Sequence, residues 1–156
     1  MQEKKIYVSE EGLEKFKKEL DGLVNFRRKE ITERIEEAIK MGDLSENAEY
    51  DAAKNEQAFV EGRIAELQDL IRRAEIINQG KSRNNDHITV GSLIKVKNNG
   101  DTLEYTIVGV AEADPVNGKI SNESPLGKAF LGKRVGDKID VTVPKGILTY
   151  TILEIG

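Results

Sequence analysis

The sequence predicts an α+β protein: a long antiparallel α-helical coiled-coil hairpin, then a small antiparallel β-sheet domain with one short helix. Three observations predict it. Leu13, Phe16, Leu20, Val24, Ile31, Ile35 and Ala38 recur at steps that are mostly three or four residues or sums of them, and Ala53, Val60, Ile64, Leu67, Ile71 and Ala74 do the same. Only one strong break, Gly42–Tyr50, lies between the two patterns. Beyond Asn78 the apolar period falls towards two.

Each pattern reads as an amphipathic helix of more than thirty residues, and so short a connection forces the two helices to lie antiparallel. At a rise of 1.5 Å per residue such a hairpin is roughly 45 Å long, with Asp43 and Glu46 at its far end. Residues 1–78 form this hairpin, and the polar stretch 79–86, which contains Gly80, reads as a linker. Residues 87–156 form the second domain. In it Leu93–Val96, Leu103–Val108, Ile139–Val143 and Leu148–Leu153 read as strands, with tight turns at Asn99-Gly100-Asp101 and Lys145-Gly146. Ser124–Leu131 reads as a short helix: serine caps it, Pro125 takes the first turn, and Gly132 ends it.

Composition excludes several classes of function. The chain has 156 residues, 33% of them charged, enough for one or two small domains. With no cysteine, disulfides and thiolate metal sites are excluded. The first residues, Met1-Gln2-Glu3-Lys4-Lys5-Ile6, lack the apolar core of a signal peptide, and no run approaches a membrane span, so a soluble cytoplasmic protein without a membrane partner is expected. The net charge of −4 argues against holding nucleic acid by bulk attraction to phosphate. Charge is uneven along the chain: residues 1–78 carry 14 Lys and Arg against 19 Asp and Glu, and residues 79–156 carry 10 against 9. Any nucleic-acid contact is therefore local, or arranged by a partner.

The acidic tip has two readings. Asp43 as N-cap with Glu46 three residues on would make a capping box for the second helix, with Ser45 as a competing cap. Alternatively the two carboxylates serve chemistry in another protein's cavity. Mg²⁺ takes hard oxygen ligands, keeps several waters, and is usually held by one or two carboxylates together with substrate phosphates. Two exposed carboxylates bind it weakly by themselves, so a partner or nucleic acid would have to complete the site. The carboxylates could also do both jobs.

Gly42-Asp43-Leu44-Ser45-Glu46-Asn47-Ala48-Glu49-Tyr50-Asp51-Ala52-Ala53-Lys54, followed by Glu61-Gly62-Arg63-Ile64, closely resembles the tip signature of bacterial transcript cleavage factors of the GreA/GreB family. The resemblance continues through Ser124–Lys133 and Val135-Gly136-Asp137, and lies nearer the GreA branch than the GreB branch. It implies that the hairpin enters the secondary channel of bacterial RNA polymerase, and that the second domain, FKBP-like in fold, docks on the channel rim. It further implies a transcription elongation factor that is not itself an enzyme but stimulates the polymerase to cleave the 3′ end of backtracked nascent RNA. Asp43 and Glu46 would help hold a Mg²⁺ ion shared with the polymerase, none being tightly bound to the free protein. Two-metal hydrolysis needs one ion to activate water and another to steady the leaving oxygen.

Other positions carry a functional and a plain reading together. Lys54 matches a position the family places near the extruded RNA; a solvated helix face is the plain alternative. Tyr50 could stack on an RNA base or simply pack the hairpin end. Glu49, one turn from Glu46, faces solvent or pairs locally. Arg27-Arg28-Lys29 reads as an ion-pair face, given the interleaved Glu30 and Glu33, ahead of a basic RNA track. Ser124 and Pro125 resemble the polymerase-docking loop and helix, although capping alone explains both. His87, the only histidine, has no ligand set nearby. Two rival functions remain: a channel-occupying inhibitor without cleavage activity, against which the Asp43–Glu46 pattern stands, and an FKBP-like prolyl isomerase, which needs an apolar pocket where this domain offers only Tyr105, Phe130 and Tyr150 as aromatics.

Overall fold

A computed structural model describes residues 3–43, 47–77 and 86–156. The expected linker therefore lies outside the described residues except for Asp86, and so do Leu44, Ser45 and Glu46. The chain divides into two compact units, Leu13–Arg73 and Met1–Gly12 with Ala74–Gly156. This division differs from a boundary near residue 78. Both ends of the expected hairpin are strands that belong with the sheet-bearing unit.

The helical unit is an antiparallel pair. Its first arm is α1 (Glu10–Gly22), whose initial turn lies in the other unit, followed by a π-helical segment (Leu23–Arg27) and α2 (Arg28–Lys40). The second arm is α3 (Ala48–Arg73), whose 26 residues span about 39 Å. Ile31, Val60 and Ile64 form the buried seam, with Leu20, Leu23, Val24 and Ile35 packed against it. A π turn accommodates about one extra residue, so adjacent Leu23 and Val24 both stay on the seam. Nearer the C-terminus of α3 the buried residues are Leu67 and Leu70, not the expected Ile71. Arg28 pairs with Glu61 through two hydrogen bonds (2.7 and 2.9 Å) and Arg63 with Glu19 through two more (2.7 and 3.1 Å). These paired forks fix the register of the arms.

α3 has its N-cap at Asn47. Its Oδ1 accepts the N–H of Tyr50 (3.1 Å), while its Nδ2 donates to the carbonyl of Ala38 in the last turn of α2 (2.8 Å). One amide thus satisfies an orphan donor at the start of one helix and a carbonyl near the end of the other. Asp43 therefore does not cap this helix, and the other half of the capping-box reading, Glu46, lies outside the described residues.

In the other unit β1 (Ile6–Ser9) and β2 (Ala74–Ile77) pair in parallel, Ile6 opposite Ala74 and Ser9 opposite Ile77. Ala74, expected on the helical stripe, is the first residue of β2. The main sheet has five strands in the order β5-β4-β3-β7-β6. These are β3 (Leu93–Asn98), β4 (Asp101–Val108), β5 (Lys119–Ser121), β6 (Lys138–Val143) and β7 (Gly146–Ile155). All four expected strands are present. Asn99 and Gly100, both with positive φ (51° and 85°), make the two-residue turn from β3 to β4. The sheet is mixed and not purely antiparallel, because β5 pairs parallel to β4. Residues 109–118, with 3-10 turns at Val110–Glu112 and Pro115–Asn117, carry the chain back to the start of that pairing.

Ile94 and Val96 of β3, Ile107 of β4, Ile139 and Val141 of β6, and Tyr150 and Ile152 of β7 face one core with Phe130 of α4 (Pro125–Phe130). On the open face Lys95 lies 3.7 Å from Glu104 and 3.5 Å from Glu154, its cross-strand neighbours. Ser124 caps α4 as expected, its Oγ accepting the N–H of Gly127 (3.0 Å) and donating to the carbonyl of Ser121 (2.7 Å).

Two stability predictions follow from these contacts. A Cβ at Gly127 would lie 1.9 Å from the carbonyl oxygen of Ser121, so Gly127→Ala lowers unfolding free energy by at least about 2 kcal/mol in urea titration. Asn47→Ala removes the cap and the tie to Ala38 together; a loss of about 1–2 kcal/mol is expected, read by thermal melts of helical circular dichroism.

Candidate functional site

The first arm ends at Met41, and Gly42, at φ 117°, takes the chain out of the helix. Asp43 follows as an exposed residue and Asn47 starts the second arm. The end of the hairpin is therefore built by Met41-Gly42 on one side and Asn47 on the other, with Asp43 between them. Glu46, its expected companion, lies outside the described residues. Asn47 is the functional-site residue that sequence reasoning missed. Asn, Asp and Ser are about equally good N-caps, so the pattern that offers Asp43 and Ser45 does not by itself single out Asn47.

On the first turns of α3, Glu49 is exposed and Tyr50 half-buried. Exposed Lys54 donates to Gln57 Oε1 (3.1 Å) along its own helix. The cluster Arg27-Arg28-Lys29 is largely engaged in ion pairs: Arg27 with Glu30 (2.9 Å) and Glu56, Arg28 with Glu61. The Glu61 carboxylate raises the Arg28 guanidinium pKa, and Glu19 with Glu66 does the same for Arg63, which stays charged at any ordinary pH. That cluster matches the ion-pair reading. Arg72 and Arg73 together hold the Asp69 carboxyl below its usual value, Arg73 contributing most.

In the sheet-bearing unit, Ser124 is occupied in capping and Pro125 stands exposed at the first turn of α4. Phe130 is fully buried, edge-on to Tyr150 (ring centroids 5.5 Å) and 6.2 Å from Tyr105. Phe130 thus packs against both of the other aromatics of this domain; burial raises the Tyr105 pKa, with Tyr150 adding to the shift. His87 is half-buried. Among the described residues no group of three or more His, Asp or Glu side chains could hold a metal ion. Asp43 nevertheless offers the hard, exposed carboxylate oxygen that suits Mg²⁺ when phosphate oxygens complete the shell. Among the described residues no helix is long and apolar enough to cross a membrane.

Comparison with known proteins covers nearly the whole chain. The family model described as "Transcription elongation factor, N-terminal" matches residues 6–76, and "Transcription elongation factor, GreA/GreB, C-term" matches residues 83–156. "Transcription elongation factor GreA" of Clostridium botulinum (strain Langeland) is 53% identical over 97% of this chain and 96% of its own. The protein of that name from Clostridium acetobutylicum is 51% identical over 99% and 98%. Among solved structures, GreA factor homolog 1 of Thermus thermophilus is 31% identical, covering 98% of this chain and 99% of that chain with a TM-score of 0.46. Two family models and two relatives at half identity end to end leave one conclusion: the chain belongs to the GreA/GreB family of transcription elongation factors.

Proposed function

We propose that this elongation factor acts on bacterial RNA polymerase in the cytoplasm by entering its secondary channel, where it stimulates cleavage of the 3′ end of backtracked nascent RNA. The observation that carries the reading is the construction of the tip. Asn47 caps the second arm, and Gly42 turns the chain out of the first, so exposed Asp43 is neither the N-cap of α3 nor part of α2. A carboxylate at the end of a narrow helical pair suits a reaction centre that lies inside another molecule.

The protein is a stimulating factor and not an enzyme: the hydrolysis belongs to the polymerase. Asp43 and Glu46 would supply oxygen ligands to a Mg²⁺ shared with the polymerase and accept hydrogen bonds from the attacking water, orienting it towards the scissile phosphodiester. The bound ion would supply charge stabilisation and a lower water pKa. Lys54, on the exposed face of α3, would offer an ammonium to a phosphate of the extruded RNA, and Tyr50 a ring face to a base. Ser124 and Pro125 of the sheet-bearing unit would contribute to docking on the channel rim. Pro125 is exposed, while Ser124 sets the shape of the turn that presents it.

Asp43→Ala and Glu46→Ala are expected to lower cleavage of RNA in a stalled, backtracked elongation complex by at least about a hundredfold, since removing a group that acts in the transition state costs several kcal/mol. Polymerase binding, followed by competition with the unaltered protein, stays nearly constant, and raised Mg²⁺ restores part of the activity. RNA lengths on a denaturing gel provide the readout. Wild-type cleavage by the double variant would remove the tip from the reaction; occupancy that slows transcription with no RNA shortening by the unaltered protein would favour the inhibitor reading.

A further inference from the structure

Two of the four phenylalanines stand in water on the helical pair: Phe26 is 70% exposed and Phe59 76%, whereas Phe130 of the sheet domain is fully buried. They share one side of the hairpin and one level along it. Glu56, Phe59 and Arg63 follow at i, i+3 and i+7 along α3, and Glu19, Gly22 and Phe26 do the same along the first arm, so each set lies on one helix face. Ion pairs join the two faces across the arms: Arg27, next to Phe26, pairs with Glu56, and Arg63 with Glu19 (2.7 Å). The rings are thus held between two cross-arm ties, wholly within the helical unit.

The backbone beside the rings is bare as well. Gly22 lies four residues before Phe26 and Gly62 three after Phe59, which puts each glycine one turn from a ring. Gly22 is helical (φ −61°, ψ −42°), neither glycine has a positive φ, and a Cβ at either would meet nothing within 4 Å among the described residues. Glycine inside a helix is less stable than alanine, so neither backbone strain nor packing in the free chain accounts for these two. Phe26 also belongs to the π-helical segment, a distortion frequent at functional sites. Gly62 sits in Glu61-Gly62-Arg63-Ile64, a part of the family-like motif that the tip chemistry does not use.

We infer that Phe26 and Phe59, with Gly22 and Gly62 beside them, form a docking strip for an apolar protein ridge of RNA polymerase, which lies against the bare helix backbone while the rings close on its flanks. The inference rests on the polymerase-binding reading of the hairpin and adds a second place of contact to it, made by residues other than the tip carboxylates. Two observations choose the occupant. The arginines of the strip are engaged, Arg27 with Glu30 and Glu56 and Arg63 with Glu19 and Glu66, so RNA phosphate meets no open basic track there. A stable pair of copies buries roughly 800 Å² on each partner, and two rings of about 150–250 Å² fall short of that, whereas a few aromatic anchors are what a larger interface concentrates its binding on.

The test is affinity for RNA-free core polymerase, measured by competition of each full-length variant with the labelled unaltered chain. Phe26→Ala combined with Phe59→Ala should weaken binding about tenfold or more. The melting temperature of its helical circular dichroism should stay within about 2 °C, because both rings are exposed. Gly62→Ala should raise the melting temperature by about 2–4 °C, as alanine in a helix interior does, and still weaken binding at least about threefold, because its methyl occupies the place of the ridge. A purely structural role does not move stability and affinity in opposite directions. Unchanged affinity in either variant overturns the inference. So does a loss that appears only when RNA is present in the complex, which makes RNA the occupant, or a dimer of the unaltered chain in sedimentation that the phenylalanine variant turns into monomer at constant polymerase affinity. If the unaltered chain does not bind polymerase at all, the reading beneath the inference falls with it; if Asp43→Ala cleaves at the normal rate while the phenylalanine variant binds weakly, the tip reading fails and the strip stands.

Discussion

The parallel pairing of Ile6–Ser9 with Ala74–Ile77 is the constraint on which the rest depends. Parallel strands cannot be joined by a tight turn; they need a crossover connection. Here the crossover contains the whole helical pair, from Glu10 to Arg73. Four residues of pairing thereby bring the strand that precedes the first arm beside the strand that follows the second. Val8 is buried and Gly109 admits the backbone of Tyr7, so the short pair is seated on the chain that follows β4 and does not stand alone. An isolated two-stranded pair would have marginal stability in water.

At the start of α3 the cap falls to Asn47 and not to exposed Asp43. Asn47 carries the hydrogen bonds that start α3 and reach back to Ala38. Small buried residues, Ala38 and Ala53, let the arms run close together there. The seam is thin along its length, its fully buried cluster consisting of Ile31, Val60 and Ile64. Paired guanidinium–carboxylate forks flank it, contributing register more than stability because they are largely exposed.

Most of what could be read in advance had a local cause. Alternation along Leu93–Val96 and Ile139–Val143 reported a half-buried sheet, and Asn99-Gly100 supplied the two positive φ values that a two-residue hairpin turn needs. Ser124-Pro125 announced α4 through its own cap. What escaped depended on distant partners. Ile6–Ser9 and Ala74–Ile77 are four residues each, and Ala74 continued the helical period of the arm before it. Lys119–Ser121 has three residues and no alternation to detect, so the parallel edge was not foreseen. At the tip the acidic motif was legible from Asp43, but the cap was not, because Asn47 stood among equally competent candidates. Nothing in the order of residues joins Ser9 to Glu112, whose carboxylate accepts the backbone N–H and the hydroxyl of Ser9; their meeting is a property of the folded chain.

The separation between those partners has a consequence for assembly. Contacts within the arms are local, so the helical pair can form as soon as its own residues are available, whereas β1 must wait for β2 and then for Glu112, one hundred and three positions beyond Ser9. Long closures carry a larger entropic cost and form later than short ones. During synthesis the N-terminal strand therefore emerges first and is secured among the last, leaving a finished helical pair whose base stays open until the chain beyond β4 has been made.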